Sequence, residues 1–342
     1  MEVLHAGIFK DHELGGDVIL EKGLTQNDCK VERFDYRTLA SVVGVRKMLN
    51  QLTEKAHGKD LVFIGKGDLI DRATLQKIRK LGVNVALWYG DMKPEPERWL
   101  LENLSEVDYL FTTFGGSFLE EHFKKGKPGV AACFLFPSDP ELALKYQHLP
   151  RCTRKIVFTG SNYDFACKER KETIEYLKTR KDVTFFGYSE SRSRYKNSLK
   201  RKFETLTQSR FHSKWIRGAE YIAVIKSACI GAGVSAFQDV PRYTSDRLSH
   251  YLTFGTFYLI WRFPEVEVLF DTEKELICFE SIKELEDKLE YYLRNPSERE
   301  RIALAGQKRM LNEYNCNNMV GMMLDIIRTG KSNRFKWVEV LS

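Results

Sequence analysis

The chain has 342 residues, 43% apolar and 30% charged, with a formal net charge of +7, which suits two soluble domains better than a single core. No apolar run approaches the roughly 20 residues of a membrane helix, and Met1-Glu2-Val3-Leu4-His5 is no signal peptide, so a cytoplasmic protein is expected. The seven cysteines (Cys29, Cys133, Cys152, Cys167, Cys229, Cys278, Cys316) are scattered, odd in number and free of any C-x-x-C pair, which argues against a disulfide framework or a cysteine zinc site.

Along the first 140 residues short apolar runs alternate with helical stretches. Strands are predicted at Val3–Ile8, Val31–Phe34, Asp60–Ile64, Val83–Trp88, Tyr109–Thr113 and Gly129–Phe134. Asp71 can cap a helix with Leu75, Ile78 and Leu81 on one face, closed by Gly82. Such alternation predicts a parallel, doubly wound sheet. Lys10, Gly15 and Gly16 sit in a loop after the first strand, where glycines let backbone N–H groups approach phosphate or sugar. The polar segment 146–155, with Pro150, reads as a linker.

The rhythm then restarts. Lys155–Phe158 is a strand ending in Thr159-Gly160-Ser161-Asn162, Val183–Phe186 is another, and an apolar run over Glu220–Ile230 leads into Gly231-Ala232-Gly233. Thr244 or Ser245 is placed to cap a helix carrying Leu248, Tyr251 and Leu252 and ending at Gly255, ahead of the strand Tyr258–Trp261. A helix start of this kind favours anions, and Arg247 adds a bidentate fork for phosphate. Ser281-Ile282-Lys283-Glu284 and Ser297 with Glu300 read as capping boxes of the last helices. The expected organisation is a domain at 1–145, the linker 146–155, a second domain at 156–325, and a tail, 326–342, packing back on the first. Ligands of such sheets bind beyond the strand carboxyl ends, which predicts a cleft between the halves.

The runs D-L-V-F-I-G-K-G-D (60–68), W-Y-G-D (88–91), D-Y-L-F-T-T (108–113), V-F-T-G-S (157–161) and Y-T-S-D-R-L-S-H-Y-L-T-F-G-T-F-Y-L (243–259) resemble the CgeB-like glycosyltransferases. The resemblance implies a GT-B fold, two Rossmann-like domains facing across a cleft, with the donor on the C-terminal domain and the acceptor on the N-terminal one. It implies a nucleotide-diphosphate sugar as co-substrate, a UDP-sugar first, with no tightly bound cofactor. It also implies transfer without a bound metal, the helix dipole and basic residues neutralising the leaving diphosphate. Related enzymes hold a glutamate where this chain has His250, and an acid where it has Arg242.

Expected donor contacts are Gly160, Ser161, Asn162, Lys226, Thr244, Ser245, Arg247 and His250. Expected bases toward an acceptor hydroxyl are Asp91, Asp68 and His12, since a partly buried carboxylate has its pKa raised toward the working range. No His or carboxylate cluster has metal-ligand spacing, and no G-x-x-x-x-G-K-[ST] occurs. Between Arg192 and Arg217 nine Lys/Arg stand against one acid, Glu204, with aromatics interleaved. Arg192, Arg194, Lys200, Arg201, Lys202, Lys214 and Arg217 therefore form an expected polyanion surface, for DNA carrying a hydroxymethylated base, or for an anionic membrane or glycan acceptor. The alternative is a non-catalytic GT-B relative that binds nucleotide sugar or polyanion as an assembly factor.

Overall fold

A computed structural model describes residues 1–9, 13–93, 95–161, 163, 165–187, 210–212 and 215–342. The chain divides into two compact units: Met1–Pro137 with Val240–Tyr243 and Tyr314–Ser342, and Ser138–Asp239 with Thr244–Glu313.

The first unit is built on β1 (Glu2–Gly7), β2 (Lys30–Asp35), β3 (Leu61–Gly65), β4 (Asn84–Tyr89), β5 (Tyr109–Thr112) and β6 (Val130–Cys133). These strands are mutually parallel in the order 6-5-4-3-1-2. Inner strands such as β3 are buried at every residue, because helices cover both faces of a parallel sheet. The helix Gly16–Gln26 packs on Cys316–Thr329 so closely that a Cβ on Gly23 would meet Cys316 O at 2.5 Å. Residues 316–325, expected in the second domain, thus belong to the first unit.

The sheet's outer strand comes from the far end of the chain. β13 (Val340–Leu341) pairs antiparallel with β6. Beside it, Glu339 Oε2 accepts from Gly116 N at 2.9 Å and from Arg242 Nη1 at 3.1 Å, and Arg242 also donates to Trp337 O at 3.0 Å. Arg242 therefore meets an acid supplied by the tail. A Glu339→Ala change removes an acceptor shared by two half-buried donors, and should lower stability by about 1–3 kcal/mol in urea unfolding.

The second unit is built on a six-stranded sheet in the order β12-β11-β10-β7-β8-β9: β7 (Arg154–Thr159), β8 (Val183–Phe186), β9 (Phe211–His212), β10 (Ala228–Gly233), β11 (Tyr258–Trp261) and β12 (Ile277–Phe279), with adjacent strands parallel throughout. Ile156, Phe158, Phe185, Ile230, Leu259 and Phe279 form its buried centre, each contributing about 1.5–3 kcal/mol of apolar burial. The apolar run at 220–230 divides into a helix, Gly218–Ser227, and β10. The expected linker lies inside this unit: Arg151 reaches Glu300 at 2.6 Å, and Arg154 donates to Ser227 Oγ at 2.7 Å.

Three caps are worth comparing with expectation. Asp71 and Ser281 accept from the backbone N–H three residues on. The box at Ser297 and Glu300 does not form: that helix starts at Pro296, two residues before the start that a Ser297 cap implies, with Asn295 as its N-cap. Proline is preset for a first helical position and needs no donor there.

Candidate functional site

The carboxyl ends of β7 and β10 carry the densest polar arrangement of the second unit. β7 ends at Thr159, and Gly160 follows with φ +150°, a conformation open to glycine and strained for other residues. From the helix Lys168–Thr179, Arg170 reaches back to donate to Ser161 O at 2.7 Å and to Val234 O. From the helix Asp246–Thr253, Arg247 donates to Thr159 O at 2.7 Å and to the same Val234 O at 3.0 Å. The two guanidiniums close around Gly160: a Cβ there would stand 2.8 Å from Arg247 Nη1 and 3.1 Å from Arg170 Nη2.

Among the described residues their hydrogen-bond partners are carbonyls alone. Among the described residues neither guanidinium forms an ion pair with a carboxylate, and Arg170 Nε, buried, has no hydrogen-bond partner. Burial, and after it the Arg247 charge, pull the Arg170 pKa down from the ordinary arginine value to about 9. Both groups stay charged at neutral pH, so two cations meet with no carboxylate bonded to either among the described residues, Asp246 acting on Arg247 only through its nearby charge. An anion supplies what the site lacks.

The floor beneath them is tightly filled. Tyr251 and Tyr258 stack at 4.6 Å between ring centroids, and the Tyr251 hydroxyl meets Thr159 Oγ1 at 3.3 Å. The rings occupy notches left by Gly231 and Gly233, where a Cβ would come within 2.2 Å of Tyr251 and 2.1 Å of Tyr258. Burial raises the Tyr251 pKa, so its hydroxyl is neutral.

Ser245 is the N-cap of the Asp246–Thr253 helix, but its side chain makes no capping bond, and Thr244 Oγ1 is buried without a partner. The expectation that one of them closes the first turn is corrected: the first-turn N–H groups are not capped by either side chain. An uncapped helix start beside two arginines strengthens the pull on an anion. His250, one turn on, is 7% exposed and meets Tyr221 edge-to-face at 5.6 Å.

Gly160, Ser161, Thr244, Ser245, Arg247 and His250 are thus drawn to one place, while Asn162 lies outside the described residues. Lys226 does not join them. It lies in the last turn of the helix Gly218–Ser227, near the amino end of β10, where it is buried and donates to Gln147 O at 3.2 Å. Burial, then Arg151, lower its pKa. The residue that sequence reasoning missed is Arg170, hidden in the K-E-R-K run that opens its helix and indistinguishable there from a solvated charge.

In the first unit, Gly15 is the N-cap of Gly16–Gln26, and Gly16 is small because Trp88 packs on it, 2.9 Å from where a Cβ would be. Lys10 and His12 lie outside the described residues. Asp91 is half-exposed and ion-paired with Lys66. Asp68 accepts from Tyr36 at 2.8 Å and pairs with Arg37. Burial opposes its charge, but the Arg37 and Tyr36 hydrogen bonds prevail and hold its carboxyl below the usual range. The raised pKa expected of a base is therefore not met at Asp68. A carboxylate not foreseen, Asp17, is 4% exposed: its Oδ1 lies 3.1 Å from His5 Nε2, and its Oδ2 accepts from Ile8 N at 2.7 Å.

Of the expected polyanion surface, Arg192, Arg194, Lys200, Arg201, Lys202 and Lys214 lie outside the described residues. Arg217 precedes the helix Gly218–Ser227, its guanidinium 6.0 Å from the Trp215 ring centroid. Among the described residues no three His, Cys, Asp or Glu side chains come together as a metal site, and no helix is long and apolar enough to cross a membrane.

Comparison with solved structures decides the architecture. Anabaena HepE in complex with UDP superposes with a TM-score of 0.64, covering 96% of this chain and 100% of that one at 12% identity. The fold is GT-B. Sucrose-phosphate synthase from Thermosynechococcus elongatus (TM-score 0.60, 13% identity, 96% and 98% covered) and the trehalose-6-phosphate synthase OtsA (0.62, 11%, 96% and 99%) share it. Residues 168–325, which include Arg170 and Arg247, match the family model described as glycosyl transferase-like. No curated protein matches the sequence.

Proposed function

We infer that this chain is a glycosyltransferase of the CgeB-like kind, moving a sugar from a nucleoside diphosphate to a hydroxyl acceptor. The observation that carries the reading is the convergence of Arg170 and Arg247 on Val234 O around Gly160, with no carboxylate between them among the described residues. In transfer the bond from the anomeric carbon to the diphosphate oxygen breaks, and its electron pair leaves with the diphosphate. Fixed positive charge at that oxygen lowers the barrier without reorganisation. Arg170, Arg247 and the open helix start at Ser245 supply such charge. HepE has been crystallised with UDP and with UDP-glucose, which favours a UDP-sugar as the first donor to test.

The acceptor hydroxyl gives its proton to a base as the new bond forms. Of the two described candidates we favour Asp91 as that base, because Asp68 has its oxygens committed to Arg37 and Tyr36, whereas Asp91 is half-exposed and pairs with Lys66 alone among the described residues. Acceptors with phosphate, DNA among them, remain the class suggested by the 192–217 charge.

A thermal-shift screen with UDP, GDP, CDP and dTDP, followed by turnover of the matching nucleotide sugars, tests the reading. At least one diphosphate should raise the melting temperature, and its sugar conjugate should be consumed. No shift with any of the four would overturn it. Binding with no turnover would favour the non-catalytic assembly factor.

A further inference from the structure

Of the seven cysteines only Cys152 is exposed, and half-buried Cys229 lies beside it, both as free thiols. Cys152 stands in a left-handed turn (φ +53°) shortly before β7, and Cys229 is in the first turn of the pleat of β10, the strand that pairs with β7. The turn folds each sulfur over the other residue's backbone. Cys229 Sγ donates to Cys152 O at 3.5 Å, and Cys152 Sγ donates at 3.9 Å to Ala228 O, the carbonyl that directly precedes Cys229. The sulfurs also act on each other: after burial, the Cys152 thiol is the main cause that pushes the Cys229 thiol up.

The two thiols are chemically unlike. Arg299 Nη2 donates to Cys152 Sγ at 3.9 Å, so a guanidinium favours negative charge on the exposed sulfur. Cys229, half-buried, keeps its proton. Both lie at the amino end of β10, whereas Arg170 and Arg247 meet on Val234 O beyond its carboxyl end, so the thiols are a separate site. We propose that Cys152 and Cys229 are a redox-active dithiol that a peroxide converts to a disulfide. The Cys152 thiolate attacks one peroxide oxygen, an S–O bond forms as the O–O bond breaks, and the departing hydroxide takes a proton to become water. Cys229 then attacks the Cys152 sulfenic acid: the S–S bond forms, the S–O bond breaks, and the Cys229 proton leaves with the hydroxide as a second water. Two thiols have lost two electrons and one hydrogen peroxide has gained them. A dithiol reductant reverses the change by thiol–disulfide exchange.

The test treats the full wild-type chain with hydrogen peroxide at mildly alkaline pH, blocks the remaining thiols and digests it for mass spectrometry. Two of the seven thiols should disappear, the intact chain should lose the mass of two hydrogen atoms, and one linked peptide pair should contain Cys152 and Cys229. Dithiothreitol should restore both thiols. Cys229→Ser should stop at a Cys152 sulfenic acid that dimedone traps, and Cys152→Ser should leave Cys229 reduced at the same dose. A link to any other cysteine or between two chains would overturn the proposal. So would survival of all seven thiols, or Cys152 oxidised in the wild type without a link.

Discussion

Replacing Arg247 by methionine is expected to weaken nucleoside diphosphate binding by at least about 100-fold, and Arg170→Met should do the same. A charge-assisted hydrogen bond in a dry site contributes about 1.5–3 kcal/mol, and one guanidinium supplies up to two of them to a diphosphate. A hundredfold loss corresponds to about 2.7 kcal/mol, so even partial engagement reaches it. Stability should move much less. Each substitution removes hydrogen bonds to Val234 O and a neighbouring carbonyl, but it also ends the repulsion between two poorly solvated cations, and these effects oppose each other. The double variant should bind worse than either single one, but by less than the product of the two losses, because the two guanidiniums act on one anion. Arg247→Lys should not rescue, since an ammonium cannot span Thr159 O, Val234 O and a phosphate at once. A large drop in melting temperature with unchanged diphosphate affinity would make the pair scaffolding.

The second large effect is on folding. Asp17→Ala should cost about 3–5 kcal/mol in denaturant unfolding. The carboxylate fills a notch between Gly7 and Gly65, where added Cβ atoms would come within 2.7 Å and 1.8 Å of it. Its loss leaves a void and strips the Ile8 N–H of its acceptor. His5 Nδ1 is buried without a partner, so the ring turns an Nε2 proton toward Asp17. Asp17→Asn keeps an acceptor for Ile8 but turns an amide toward His5, forcing the ring proton onto the buried Nδ1. An intermediate cost follows. A change below about 1 kcal/mol for Asp17→Ala would refute this account.

Much of the fold could be read before any coordinates. Parallel strands covered on both faces appear as apolar runs closed by glycine, as at Leu61–Gly65 and at Arg154–Thr159 ahead of Gly160. Short edge strands carry no such signature: Phe211–His212 and Val340–Leu341 have two residues each and are only half-buried. Local rules also misplace residues that tertiary packing decides. Lys226 looks like a phosphate ligand because it precedes a glycine-rich strand, yet the strand's direction puts it at the wrong edge. Arg247 was legible because a helix start and a lone arginine coincide in a short apolar setting. Arg170 was not, because a charged first turn looks the same whether its third residue faces water or turns inward beneath a loop. Asp68 shows the converse: its place after G-K-G suggested chemistry, and only the arrival of Arg37 from 31 residues upstream in sequence removed its freedom.

The outermost strand of the first sheet has a consequence for synthesis. The unit that begins at Met1 takes its helix Cys316–Thr329 and its β13 from residues made after all of the second unit. While the ribosome builds residues 138–313, the edge of β6 stays unpaired, and the apolar side of Gly16–Gln26 waits uncovered. Nascent chains in that condition are open to mispairing and to chaperones. The half that starts first is thus the half that finishes last. Shortening the chain from its carboxyl end should harm the sheet at its amino end before it touches the arginine pair.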